Sequence, residues 1–272
     1  MIPRSAARTF LARRLRDFRP CRAYTEARLS SLAAKLPHPP PALWQRMRRH
    51  QRVCFVIGAH VPRFAFLLST GCGKTLLAIS LAQYHAQRSA ARKFIVLVPQ
   101  RTNKYEWERE IEKHAPEVSR CLLAWSSKDK WDTLAENPDA LLTVATYPGL
   151  VRMVCELVEV RTKKGKIKRK LVPNAKAVAR LVAQFDGLVM DELHSCKHQG
   201  TLPFRVCRQL AKHAKCVFGL TGTPFGRDPD DLWAQMYLVD GGETLGASQS
   251  LFRSAFFTSK LNHWGAIEYT FD

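Results

Sequence analysis

The sequence predicts an α/β fold, a mainly parallel β-sheet with helices on both faces, and three observations carry that prediction. Near-continuous apolar runs recur at 64–68, 94–98, 141–145, 187–191 and 216–220. Between them lie longer segments in which helices are expected to start near Lys74, Lys104, Ala175 and Pro203. The stretches richest in reactive side chains fall at the C-terminal ends of the apolar runs. Strands buried on both faces read as unbroken apolar runs, and strand–helix alternation places ligands at the strand tips.

The first run opens Phe64-Ala-Phe-Leu-Leu-Ser-Thr-Gly-Cys-Gly-Lys-Thr75, after which Leu76-Leu-Ala-Ile-Ser-Leu-Ala82 begins a helix. A strand, a glycine loop and a helix with Lys-Thr at the junction suit a nucleoside triphosphate. Glycines turn backbone N–H groups onto phosphate oxygens, and the helix N-terminus adds partial positive charge. Thr70, Gly71, Cys72 and Gly73 would form the loop, Lys74 would reach the β- and γ-phosphates, and Thr75 would ligate Mg²⁺. The first glycine of the usual G-x-x-x-x-G-K-[ST] pattern falls at Leu68.

Two later runs end in complementary chemistry. Phe185-Asp-Gly-Leu-Val-Met-Asp-Glu-Leu-His194 ends in two acids, with Asp191 expected to hold Mg²⁺ and Glu192 to orient or deprotonate water. Cys216-Val-Phe-Gly-Leu-Thr-Gly-Thr-Pro224 ends in a hydroxyl-rich turn.

In that order, these segments resemble the first RecA-like lobe of a superfamily 2 helicase or translocase, over roughly Pro37 to Phe257. The Swi/Snf-type (DEAD/DEAH-like) group and its phage relatives are the nearest match. The resemblance implies ATP and Mg²⁺ as cofactors and the P-loop NTPase fold. It implies an adenine-reading role for Gln51, with Gln45 one or two turns away on the same helix as the competing candidate. Lys74, Asp191, Glu192 and His194 become the catalytic set, and His194 would couple the acid pair to the 221–224 turn. Phe94-Ile-Val-Leu-Val-Pro99 and the helix bearing Trp107-Glu-Arg-Glu, in which Trp107 is expected to pack on the sheet, resemble a further motif. Leu142-Thr-Val-Ala-Thr-Tyr147 resembles another, and Asp230-Asp-Leu-Trp233 and Phe252-Arg-x3-Phe256 also have counterparts. Arg101, Thr102, Thr146 and Tyr147 would hold nucleic-acid phosphates, and Thr221, Gly222 and Thr223 would respond to them. Double-stranded DNA is the favoured partner, with RNA open. The group also uses a second RecA-like lobe, supplied in trans or lying outside this sequence, whose arginines complete the ATP site. The competing readings are an ATP- and DNA-binding module that hardly turns over, and a P-loop ATPase outside the helicases.

Composition fits a polyanion partner. The 272 residues, 46% of them hydrophobic, can bury a full α/β core, and the formal net charge is +20. Residues 1–50 carry twelve Lys/Arg against two acids, and 161–170 carry seven basic residues and no acid. The second run, with Lys163, Lys164 and Lys166, lies within an expected basic insertion at about 158–173, either a hairpin reaching nucleic acid or a solvated loop. The expected organisation is a basic arm at 1–36, a lobe at 37–245 and an extension at 246–272 toward the second lobe. Pro37-His-Pro-Pro-Pro41 marks the first boundary, and leucine spacing within 25–36 suits a helix. A cytoplasmic location, in a phage or bacterial setting, is expected; the Arg-rich start leaves mitochondrial and nuclear addresses open. The eight cysteines show no C-x-x-C pair, and the spacing of Cys196, His198, His213 and Cys216 fits no familiar zinc site. Cys72 sits within the phosphate loop, where its oxidation would bear on nucleotide binding.

Overall fold

The structure, a computed structural model, describes residues 25–38, 40–88, 91–124, 126–161, 167–224, 228–261 and 267–271. Helix α1 (Glu26–Ala34), capped by Thr25, and helix α2 (Arg49–His60) precede strand β1 (Arg63–Leu67). Then follow α3 (Lys74–Gln87), β2 (Phe94–Val98), α4 (Arg101–His114), β3 (Arg120–Leu122), α5 (Ser127–Glu136), β4 (Leu142–Thr146) and α6 (Tyr147–Val154). A hairpin of β5 (Cys155–Arg161) and β6 (Ile167–Pro173) leads to α7 (Ala175–Val182), β7 (Gly187–Asp191), α8 (Leu202–His213) and β8 (Cys216–Thr221). Last come α9 (Asp231–Asp240), α10 (Gln249–Phe256) and a second hairpin, β9 (Phe257–Leu261) with β10 (Ile267–Phe271).

Six strands form one sheet in the order β1-β8-β7-β2-β4-β3, and every pairing in it is parallel. The alternation of side chains along a strand explains its two-sided core. Phe94, Val96 and Val98 of β2 face one apolar cluster with Phe55, Leu77, Ile79 and Ile111. Ile95 and Leu97 face the other, with Leu150, Leu181, Leu210 and Trp233. All five residues of β2 are fully buried, which is why this strand reads as an unbroken apolar run.

Polar anchors fix the helices to this sheet. The Arg63 guanidinium, drawn below its ordinary pKa chiefly by burial, donates to Val239 O, Ala211 O and Ala214 O at 3.2, 2.7 and 2.5 Å. It thereby satisfies carbonyls at the C-terminal ends of α8 and α9, where helices lack internal partners. Arg253 on α10 grips the Asp230 carboxylate with two bonds of 3.1 and 2.6 Å, and Asp231 binds Lys197 Nζ at 2.8 Å. The two late segments singled out in the sequence are thus joined to each other.

Three expectations change in detail. Helix α4 starts at Arg101, not near Lys104, because Gln100 N–H bonds Asn103 Oδ1 and opens the helix directly after Pro99. Gln45 and Gln51 do not share a helix: Gln45 lies in a 3₁₀ turn (Ala42–Arg46), and Met47 is extended before α2. Strand β3 contains only three residues, Arg-Cys-Leu, too short and too polar to register as an apolar run.

Candidate active site and basic cleft

The tips of β1, β8 and β7, adjacent in the sheet, carry the three nucleotide-type segments side by side. Gly71 and Gly73 adopt φ of +79° and +74°, the left-handed region that only glycine enters freely. Gly73 caps α3, so the loop delivers its amides to the N-terminus of a 14-residue helix. A second constraint comes from α2, since a Cβ on Gly73 would lie 2.1 Å from Gln51 Nε2.

Gln51 is buried and committed on both sides of its amide. Its Oε1 accepts from Arg48 N–H at 2.8 Å, and its Nε2 donates to Cys72 O at 3.1 Å. His50 Nε2 reaches the same carbonyl at 3.1 Å. The glutamine therefore splints the loop from behind. Lys74 Nζ lies 3.3 Å from Leu68 O and 3.5 Å from Glu192 Oε1. Leu68, which stands where the usual pattern has glycine, thus serves through its backbone carbonyl.

Asp191 sits at the end of β7 with each carboxylate oxygen held by one donor. Trp107 Nε1 donates to Oδ2 at 2.8 Å and Glu192 N–H to Oδ1 at 3.0 Å. Burial pushes this carboxyl above its ordinary range, against the downward pull of the Trp107 bond. Glu192 has φ of +45°, alone among the described non-glycine residues in having positive φ. Such a conformation costs on the order of 1–3 kcal/mol and persists only where its surroundings impose it. Here it turns the side chain toward Lys74 and toward Thr221, whose Oγ1 lies 3.3 Å from Glu192 Oε2.

Thr221 joins the two segments. Its hydroxyl is fully buried, accepts Thr223 N–H at 3.2 Å, and lies 3.2 Å from His194 Nδ1. A hydroxyl has one proton and two lone pairs. With that proton on Glu192, His194 must bring its own Nδ1–H. Gly222 packs against the loop: a Cβ there would meet Leu68 O, Thr70 N and Lys74 Nζ at 3.3–3.5 Å.

Mg²⁺ fits the donor set. Thr75 lies half-buried in the first turn of α3, and each Asp191 oxygen keeps a lone pair beyond its single hydrogen bond.

Beyond β7, the tips of β2 and β4 border a cleft of about 180 Å³. Arg101, Lys104, Lys130 and Arg152 line it, together with Thr146 and Gly149. Burial lowers the pKa of both lysines, and Lys130 is further lowered by Lys104 and Arg152. An anion in the cleft would relieve that repulsion, and the first turns of α4 and α6 both open onto it.

The structure therefore brings Gln51, Thr70, Gly71, Cys72, Gly73, Lys74, Thr75, Asp191, Glu192, His194, Thr221, Gly222 and Thr223 to one end of the sheet. Arg101 and Thr146 line the cleft, and Thr102 is exposed beside Arg101. Tyr147 is a correction. Its ring is buried, and its hydroxyl donates to Asp191 O at 2.9 Å, so it faces the interior rather than a nucleic-acid strand. Lys163, Lys164 and Lys166 lie outside the described residues; the flanking β5–β6 ladder is antiparallel and exposes Lys168, Arg169 and Lys170. Cys196 Sγ lies 3.8 Å from Cys207 Sγ. Trp107 packs on the sheet as expected, but its bond to Asp191 was invisible in sequence. The available signal was general: a buried tryptophan N–H seeks an acceptor.

Comparison with known proteins sharpens the picture. The family described as "Type III restriction enzyme, res subunit" matches residues 22–226. No curated protein matches the chain. Among solved structures, the Sulfolobus solfataricus SWI2/SNF2 ATPase core is similar, in complex with dsDNA (24% identity, TM-score 0.59) and as the core domain (23%, 0.55). Each alignment covers 77% of this chain and 38% of the other. The Pyrococcus furiosus Hef helicase domain is similar at 19% identity and TM-score 0.51, over 74% of this chain and 38% of the other. At these identities the likeness shows the fold. The chain spans 38% of the length of each of these relatives.

Proposed function

The chain belongs to the family of the type III restriction enzyme res subunit, with the fold of a superfamily 2 helicase N-terminal RecA-like lobe, and on that basis we propose that it binds and hydrolyses ATP in response to DNA. The observation that carries the reading is the contiguity of a two-glycine phosphate loop, an acid pair and the Thr221 bridge on three adjacent strand tips.

In this reading the loop amides and Lys74 hold the β- and γ-phosphates, which draw Lys74 away from Leu68 O and Glu192. Phosphoryl transfer needs positioning and charge stabilisation more than covalent chemistry. Lys74 supplies charge as the bond to the leaving ADP breaks. Glu192, released from Lys74, orients water in line with the γ-phosphorus and accepts its proton. Thr75 and Asp191 would hold Mg²⁺, which neutralises phosphate charge when bound. Gln51 and His50 keep the Cys72–Gly73 corner rigid. His194 and Thr221 tie the position of Glu192 to the 221–224 turn.

The DNA would lie across the basic cleft, with its phosphates at Arg101, Thr102 and Thr146, and the β5–β6 hairpin adding charge from one side. Such contacts hold a backbone without reading sequence. The SWI2/SNF2 core solved with dsDNA supports a duplex over a single strand. A second RecA-like lobe, in trans or in a longer protein, would close over the phosphates and add cationic groups. The chain alone would then turn over slowly.

Steady-state ATP hydrolysis titrated separately with duplex DNA, single-stranded DNA and RNA tests this reading. Stimulation by the duplex above the other two supports it. Turnover indifferent to all three, with intact ATP binding, would reduce the chain to an ATPase of another kind.

A further inference from the structure

We propose that Trp107 and Tyr147 are positioning residues that transmit occupancy of the basic cleft to Asp191. The proposal rests on the reading above, in which that cleft takes nucleic-acid phosphates.

Two helices open onto the cleft, and both are hydrogen-bonded to the same residue. Helix α4 presents Arg101 and Lys104 to the cleft, and from its next turns the buried Trp107 indole donates 2.8 Å to Asp191 Oδ2. Helix α6 presents Gly149 and Arg152, and from its first residue the Tyr147 hydroxyl donates 2.9 Å to Asp191 O. Arg101 and Trp107 are about 9 Å apart along the axis at 1.5 Å per residue, a span that a helix transmits as a rigid body.

Asp191 is thus fixed twice from the cleft half of the sheet and once, at Oδ1, by Glu192 N–H. Glu192 follows immediately in its left-handed conformation. A shift of Asp191 therefore changes both a proposed metal-holding carboxylate and the residue proposed to orient water. Phosphates entering the cleft attract Lys104, Lys130 and Arg152 together, and both lysines are already pressed by burial, Lys104 also by Arg101 and Lys130 also by Lys104 and Arg152. The α4 start moves with Lys104, and the indole moves with α4. This connection is separate from the His194–Thr221 contact, which lies on the other flank of β7.

Coupling between two sites is reciprocal, so it can be read as DNA affinity without measuring turnover. Duplex affinity is measured with and without Mg²⁺ and a non-hydrolysable ATP analogue, for wild type, Trp107→Phe and Tyr147→Phe, each checked by its melting temperature. The wild type is expected to change its duplex affinity about fivefold or more when the analogue binds, the lower end of usual coupling. Trp107→Phe, which keeps the ring and removes the N–H, is expected to bring that ratio within about twofold of unity while nucleotide-free duplex affinity is retained. Tyr147→Phe is expected to lower the ratio as well, and carries the test alone where Trp107→Phe does not fold. A wild-type ratio of one, or folded variants that keep the full ratio, overturns the coupling role and leaves the proposed function standing. Wild-type protein that binds neither duplex nor analogue overturns the proposed function, and the coupling with it.

Discussion

Lys74 and Glu192 form an ion pair, Nζ to Oε1 at 3.5 Å, with side chains 11% and 31% exposed. The lysine that would neutralise a γ-phosphate is thus parked on the acid that would orient water. Nucleotide binding must break that pair. Glu192→Gln should therefore bind ATP about two- to fivefold more tightly, the worth of a partly exposed ion pair. The same variant should lose hydrolysis by about 10²-fold or more, since the proton acceptor is gone. Nucleotide titration and single-turnover rates on the one variant check both halves.

Gly73 carries a geometric prediction. Alanine at this position must hold φ near +74° and place a Cβ 2.1 Å from Gln51 Nε2. Strain of this kind costs on the order of 1–3 kcal/mol, so Gly73→Ala should melt several degrees below wild type and bind ATP poorly. Gly200→Ala, where a Cβ meets nothing within 4 Å, should melt like wild type. Thermal denaturation of the pair separates backbone strain from the mere loss of a glycine.

His85 should set an acid limit on stability. It is buried between α3 and α2, its Nε2 lies 2.9 Å from Gly58 O, and its Nδ1 lacks a hydrogen-bond partner among the described residues. Burial lowers its pKa from the ordinary value. The folded state then binds fewer protons than the unfolded state below about pH 6.5, so stability holds above that pH and falls as pH drops through the folded pKa. Melting temperatures at pH 7.5 and 5.5 should fall further in wild type than in His85→Gln, whose amide can still donate to Gly58 O.

Much of this site was legible in sequence, for a physical reason. Lys74, Asp191 and Thr221 each end or follow an apolar run, and local patterning places such residues at strand tips. Which tips adjoin is a matter of sheet order, which spacing does not encode. The order β7-β2-β4 puts on Asp191 both Trp107, from the helix after β2, and Tyr147, from the helix after β4, and that arrangement is non-local. A hydroxyl at a strand tip, such as that of Tyr147, looks the same in sequence whether it turns outward or inward. Gln51 showed its position but not its distant partners, because its Nε2 bonds run to backbone carbonyls more than twenty residues away.

The cleft makes an ionic prediction. Each phosphate neutralised contributes about 0.9 to the slope of log affinity against log salt on duplex DNA. Arg101→Ala should weaken duplex binding and reduce that slope by about 1. Because the contacts are to phosphate, the loss should be the same for duplexes of unrelated sequence. A salt titration on two such duplexes checks slope and uniformity together.

The most direct measurement is equilibrium binding of Mg²⁺·ATP to the wild-type chain and to Lys74→Ala. Saturable binding at one site in wild type, weakened at least about tenfold in the variant, about 1.4 kcal/mol, is the result expected of a phosphate loop at 71–75. Equal affinity in the two proteins, or no binding by the folded wild type, would contradict it.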